Sequence, residues 1–350
     1  MAQGFFYSGY DFFGDLVAER LAPAGWERTD DVAGAKLVVT YCQGLQAHED
    51  AYYEEGGIMT AIRPGTLLVD LTPTSPRMAR DLAVIAKSSG VVAVEAPLVV
   101  ADPAAKEPFV HRGLACFAAG EKDALEQTRP VLDLLVGTVY QAGSEPGSAC
   151  LARATYTVQS TAQIVAMAEA HALVQGVVEQ LGSSVSPQGT AGAITPLGTA
   201  VSNAIADERF SNGYTVQMLA TEVAAALDAA EEGGVVLPLM ESCLQVLELL
   251  VLADAGSMSP AAVSLVYAEQ EVAAKHGVDW NAAERALSEK GGCGCGHDDC
   301  DCDGDCGDDC TCDHHGRGAD DDDEDDDDSP FRNDYDGWDT LRFDDDDDWN

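Results

Sequence analysis

Residues 7–21 read YSGYDFFGDLVAERL, and the fold turns on how this stretch divides. The residues leading into it, Gly4–Tyr7, have strand character, and Phe13–Leu21 has helical periodicity. Between them lies Gly9-x-Asp11-x-x-Gly14. The outer glycines keep the spacing of a G-x-G-x-x-G turn, and the middle position carries a carboxylate. In such a strand–turn–helix unit the first glycine makes the tight turn and the third lets the helix pack on the strand. The second lets the backbone approach a phosphate at the helix N-terminus. The stretch therefore reads as the first βα unit of a dinucleotide-binding sheet, altered where the backbone would meet its ligand.

Reading outward, short apolar runs alternate with helical ones up to residue 146. Leu37–Tyr41, Thr66–Asp70, Val91–Glu95, Leu114–Ala118 and Val139–Ala142 read as strands, with helices over Arg77–Ser88 and Lys122–Leu135. Apolar strands separated by helices predict a parallel sheet covered on both faces. The pattern changes at Gly147. An Ala-rich run from Ser148 to Leu181 predicts one helix of about nine turns. Helices are expected to follow at Leu197–Asp207, Val216–Glu231, Leu237–Leu252, Pro260–His276 and Trp280–Glu289. The fold class is therefore α/β: a shortened Rossmann-like domain over 1–146, an all-α domain over 147–290, and a low-complexity tail over 291–350. The tail has too little apolar surface to offset its ordering entropy and is expected to be disordered without metal. A helix as long as 148–181 is rarely covered by its own domain, so a homodimer is expected.

Charge narrows the function classes. The tail holds 25 acidic and 3 basic residues, and the preceding 290 residues hold 36 and 16. An acidic body with a still more acidic tail repels nucleic acid and anionic membranes, so neither is an expected partner. No basic start followed by a long apolar run opens the chain, and Glu241, Gln245 and Glu248 interrupt its most apolar stretch. Neither a secretory signal nor a membrane span is expected. Cys42, Cys116, Cys150 and Cys243 sit in apolar surroundings and read as reduced core thiols of a cytoplasmic protein.

Four further stretches carry a resemblance. They are VDLTPTSPRMARDLA (Val69–Ala83), VEAPLVV (Val94–Val100), GSACLARATYTVQSTAQIVAMAEAHAL (Gly147–Leu173) and RFSNGYTVQMLATEVAAALDAAEEGGVVLPL (Arg209–Leu239). In this order and spacing the chain resembles the β-hydroxyacid dehydrogenases, in particular the 3-hydroxyisobutyrate dehydrogenase group, over about residues 4–289. The resemblance implies an NAD(P)-dependent oxidoreductase acting on a small hydroxy acid. It places NAD or NADP against Gly9, Tyr10, Asp11, Gly14 and Thr72, and the catalytic positions at Arg153 and Thr157.

The departures from that family fall on its chemistry. Arg153 stands where the family has its proton-transferring lysine, and a guanidinium stays protonated at any relevant pH, so it is no general base. It could instead clamp a carboxylate bidentately. Thr157 replaces an asparagine. Val99-Val100-Ala101 replaces a Ser-Gly-Gly substrate loop, and Thr221-Glu222 replaces a Lys-Asp pair. Asp11 adds a negative charge beside the pyrophosphate position and reads as an N-cap-like residue of the following helix. Only ten residues separate Gly25 from Lys36, so the second βα unit, with its ribose-binding residue, is expected to be missing. Thr72 and Pro76 survive, as does Glu169, which reads as structural. These losses predict impaired or altered activity. The alternative is a non-catalytic dimeric scaffold that acts through its tail.

That tail carries its own candidate site. Cys293, Cys295, Cys300, Cys302, Cys306, Cys310 and Cys312, with His297, His314 and His315, crowd thiols and imidazoles into a short segment. These donors suit zinc or another thiophilic metal, although the spacing fits no standard zinc finger. Phe331, Tyr335, Trp338, Phe343 and Trp349 stand among aspartates beyond it, a pattern suited to docking on a protein partner.

Overall fold

The N-terminal strand β1 (Gln3–Gly9) runs straight into helix α1 (Asp11–Leu21), as the glycine spacing requires. A computed structural model describes residues 3–181 and 195–290. After α1 come β2 (Trp26–Arg28), β3 (Leu37–Tyr41), α2 (Leu45–Tyr53), α3 (Ile58–Ala61), β4 (Leu67–Asp70) and α4 (Pro76–Ser88). The sheet is completed by β5 (Val92–Glu95), β6 (Leu98–Val100), β7 (Leu114–Ala119) and, after α5 (Lys122–Leu135), β8 (Thr138–Gly143). Strand order is β2-β1-β3-β4-β5-β7-β6, with β8 also paired to β7. All five residues of β3 are buried, as expected for a central parallel strand covered on both faces.

Four sequence expectations are corrected here. The second βα unit is shortened rather than lost. Trp26–Arg28 pairs in parallel with β1, and only its helix is missing. The sheet is also not wholly parallel, because β7 runs antiparallel to both β5 and β6. The β-branched Val99 and Val100, read as part of a substrate loop, instead build β6. Asp11 is the first helical residue of α1 and not its cap; Tyr10 holds the cap position without a side-chain hydrogen bond.

The helical part opens with the 34-residue α6 (Ser148–Leu181), followed by α7 (Pro196–Ala206), α8 (Val216–Glu232), α9 (Pro238–Leu252), α10 (Gln270–Lys275) and α11 (Trp280–Lys290). Glu95, at the end of β5, fixes the start of α6 by accepting from the amides of Gly147 (2.7 Å) and Ala149 (3.3 Å). The single helix expected over Pro260–His276 is divided. Pro260–Tyr267 winds as a 3₁₀ helix, Ala268 and Glu269 are extended, and α10 follows. Pro260, Ala261, Ala262, Val263 and Leu265 are all buried, so packing on several sides overrides the local preference for an α-helix there. The four body cysteines are free and buried. Among the described residues no helix is long and apolar enough to cross a membrane.

Two glycines of the first turn keep a steric role. Gly9 has φ +137°, and a Cβ there would lie 1.9 Å from the Tyr41 carbonyl oxygen. A Cβ on Gly14 would meet the Tyr7 ring at 2.7 Å. That ring cannot easily yield, because it is buried and its hydroxyl donates to the Tyr10 carbonyl at 2.9 Å. Gly14→Ala is expected to cost about 1–3 kcal/mol through overpacking. Urea unfolding measures it, and an unchanged midpoint would refute the contact.

Candidate active site

In an open α/β sheet a ligand crevice forms at the carboxyl ends of the strands, where strand order reverses. Here that point lies between β1 and β3, so Gly9–Tyr10 faces Tyr41–Cys42. Helix α8 closes the crevice from the other side. Tyr10, Tyr41, Cys42, Gly44, Pro73, Met218, Thr221 and Glu222 enclose about 10 Å³ between them, room for about one water molecule.

Aromatic rings account for the filling. The Tyr10 and Tyr41 centroids are 5.0 Å apart, and Phe13 packs on Tyr41 at 4.9 Å. Phe12, in the first turn of α1, meets Phe109 at 4.9 Å, and Phe109 reaches Tyr214 at 6.4 Å. The amide of Tyr10 is already used by the Tyr41 carbonyl at 3.0 Å. Of the candidate cofactor residues, Gly9 and Gly14 thus keep the turn and the helix packing. Tyr10 fills the crevice, and Asp11 places an exposed carboxylate at the helix start. Thr72 is buried, and its hydroxyl accepts from the Cys42 amide at 3.0 Å rather than facing open space. The space enclosed between these side chains is smaller than a nicotinamide ring. Burial pushes the thiol pKa of Cys42 and the phenol pKa of Tyr10 up to about 12, so both stay neutral at ordinary pH.

Arg153 and Thr157 do come together, one turn apart on α6. Arg153 is 2% exposed. Its Nη2 lies 2.5 Å from Glu222 Oε2, its Nε donates to the Leu98 carbonyl at 2.6 Å, and its Nη1 donates to Thr157 Oγ1. The guanidinium carbon also stands 5.4 Å from the centre of the Tyr156 ring. Tyr214 completes the cluster by donating to Glu222 Oε2 at 2.6 Å. Burial alone would lower the Arg153 pKa, but the adjacent Glu222 outweighs it and holds the group above its ordinary value. The expected bidentate clamp on a substrate carboxylate is therefore replaced by an internal ion pair. In the sequence Glu222 is only the acidic half of the Thr221-Glu222 replacement, yet in the fold it supplies the negative charge that neutralises Arg153. Position alone could not reveal this, because the partners are 69 residues apart in the chain.

A second buried network lies behind the crevice. Asp70, at the end of β4, faces His48 of α2, with Nε2 and Oδ2 2.7 Å apart. Its other oxygen accepts from Thr40 Oγ1 and from the Thr72 amide, each at 2.9 Å. Thr40 in turn meets the Tyr52 hydroxyl at 2.8 Å. Burial pushes the Asp70 carboxyl up, but His48 and the Thr72 amide together hold it below its usual range. No sequence motif announced this network. The available signal was a polar Thr40 in an otherwise apolar strand.

Arg28 is a further residue the sequence reading missed. It ends β2, where such sheets place the residue facing the adenosine ribose. It stacks over Tyr7 at 5.6 Å and lies 3.7 Å from Asp15. The residues read as metal ligands, Cys293 to His315, lie outside the described residues, as does the aromatic acidic segment after them.

Comparison with known proteins agrees with this architecture. Residues 13–143 match the NAD binding domain of 6-phosphogluconate dehydrogenase, a match that begins just past the altered Gly9–Asp11 turn. The chain is similar to the NAD-dependent L-serine dehydrogenase of Pseudomonas aeruginosa, 24% identical over 237 residues, covering 66% of this chain and 78% of that protein. It is also similar to a probable 3-hydroxyisobutyrate dehydrogenase of Mycobacterium tuberculosis, 26% identical over 221 residues, covering 59% and 70%. Among solved structures, the 3-hydroxyisobutyrate dehydrogenase of Salmonella typhimurium aligns with a TM-score of 0.60 at 16% identity, over 75% of this chain and 99% of that one. The Mycobacterium tuberculosis 3-hydroxyisobutyrate dehydrogenase with L-serine aligns at 0.58 and 21%, over 77% and 100%. The family binds NAD(P). Over its N-terminal sheet and the helices that follow, the chain is similar, at distant identity, to the 3-hydroxyisobutyrate dehydrogenase group of the β-hydroxyacid dehydrogenases.

Proposed function

We propose that this chain keeps the scaffold of an NAD(P)-dependent hydroxyacid oxidoreductase and has impaired or altered activity on it. The observation that carries this reading is the buried Arg153–Glu222 pair at the proton-transfer position. A general acid–base group contributes about two to four orders of magnitude in rate. A permanently protonated guanidinium, already matched by a carboxylate, supplies none of that. It also offers no net charge to hold a hydroxy-acid carboxylate. The aromatic filling of the crevice favours the stronger form of the same reading, a non-catalytic dimeric scaffold, since Tyr10 and Tyr41 fill the space beside the turn where a cofactor pyrophosphate would approach.

Titration of the full chain with NADH and NADPH, followed by fluorescence quenching, tests it. Turnover is assayed in parallel with L-serine and 3-hydroxyisobutyrate, the substrates in the relatives' names. The expected result is no saturation in the micromolar range and turnover at least about a hundredfold below an ordinary dehydrogenase. Micromolar binding together with ordinary turnover would overturn the proposal.

A further inference from the structure

A second polar face of α6 lies beside the Arg153–Thr157 face. Tyr156, Gln159, Ser160 and Gln163 recur at helical spacing along it. None of the four lines the crevice. Together with Asp102 and the start of α7 they line a cavity of about 340 Å³. That volume falls within the range of small-molecule sites, about 300–1,000 Å³. Tyr156 forms the partition: its ring lies against Arg153 and also walls this cavity.

The chemistry of the wall selects a ligand class. Among the described residues that line the cavity, Asp102 alone is charged at neutral pH, and no cation offsets it. Asp102 Oδ1 accepts from the Ala104 amide at 3.0 Å, and no described group donates to Oδ2. The far wall is a helix N-terminus, which would ordinarily favour an anion. Here most of its donors are spent or missing: Pro196 has none, Gly198 N–H donates to Thr195 Oγ1, and Thr199 N–H to the Thr195 carbonyl. Gln159 and Gln163 add amide groups that can pair with hydroxyls, while Leu197, Ala200 and Ala101 give apolar contact.

We infer that this cavity is a binding site for a small hydroxylated amine, held by its ammonium on Asp102 and by its hydroxyls on the α6 amides. A carboxylate there would face Asp102 without a counter-charge. The site is thus matched to the opposite charge from the hydroxy-acid substrates of the family, and it stands apart from the filled cofactor crevice.

Three near-isosteric probes test the inference on the full chain: 2-amino-1,3-propanediol, glycerol and glycerate, each titrated by calorimetry and ligand-observed NMR. The amine is expected to bind at least about tenfold more tightly than glycerol, the scale of a hydrogen bond to a charged group, and glycerate not to saturate. Asp102→Asn keeps an oxygen for the Ala104 amide, so the turn should survive while the preference for the amine disappears. Gln163→Leu should weaken the amine and glycerol alike. Amine binding that is absent, no tighter than that of glycerate, or unaffected in Asp102→Asn would overturn the proposal. None of these readouts involves NAD(P), so failure here would leave the reading of the cofactor crevice untouched.

Discussion

Glu222→Ala is expected to destabilise the protein by about 3–5 kcal/mol, because it strands the Arg153 charge in a dry interior. For a body of this size that is a fall in Tm on the order of 10 °C. The neighbours of Arg153 explain the magnitude. Leu98 and Thr157 supply neutral oxygens and Tyr156 a ring face, but Glu222 alone supplies compensating charge. The reverse deletion, Arg153→Met, strands Glu222, with only the Tyr214 hydroxyl still donating to it. Replacing both partners with apolar residues of similar volume, Arg153→Met with Glu222→Leu, should cost much less than the sum of the single changes. Thermal melts of the four proteins form the necessary cycle. Additive losses would mean that the two side chains are not coupled as the geometry shows.

Asp70 gives the second large effect. Burial works against its ionised form, yet His48 and the Thr72 amide leave its pKa below the ordinary carboxylate value. A carboxyl whose folded pKa is depressed contributes stability above its unfolded pKa, about 3.9, and loses that contribution as pH falls through the folded value. Unfolding free energy should therefore decline with acid below about pH 4. In Asp70→Asn this part of the slope should vanish. At neutral pH Asp70→Asn and His48→Ala should each cost about 3–5 kcal/mol, since each breaks a buried hydrogen-bonded pair. The position of the network sharpens the consequence. Thr72 links Asp70 to the Cys42 amide, so loss of the carboxylate loosens the β3 and β4 ends that border the crevice. Urea midpoints from pH 3 to pH 7 test both statements. An acid slope that persists in Asp70→Asn would assign it to other carboxylates.

Much of the fold was legible in the chain itself. The run LVVTY gave β3 with the observed limits, and Lys122–Leu135 and Ser148–Leu181 were readable as α5 and α6, because long or fully apolar segments leave little choice of period. The strand Trp26–Arg28 was missed because three residues carry no period. It is held by pairing with β1, a partner the sequence does not name. The helix expected over Pro260–His276 failed for a related reason: its first half, Pro260–Tyr267, is almost wholly apolar and shows no face, and the packing around it selects the winding.

The candidate site divides along the same line. The sequence by itself determined which groups are present: a guanidinium where proton transfer needs an amine, a carboxylate in the phosphate turn, and valines where a glycine loop would lie. It also determined that Arg153 and Thr157 share one face of a helix, since their spacing of four is local. Only the tertiary structure decided what those groups meet. It set Glu222 against Arg153, closed Tyr10 on Tyr41, brought Phe109 over the start of α1, and turned the polar stripe of α6 toward a cavity beside Asp102. Charge neutralisation and space filling depend on distances between residues far apart in the chain, and those distances are fixed only once the sheet and the helices have packed.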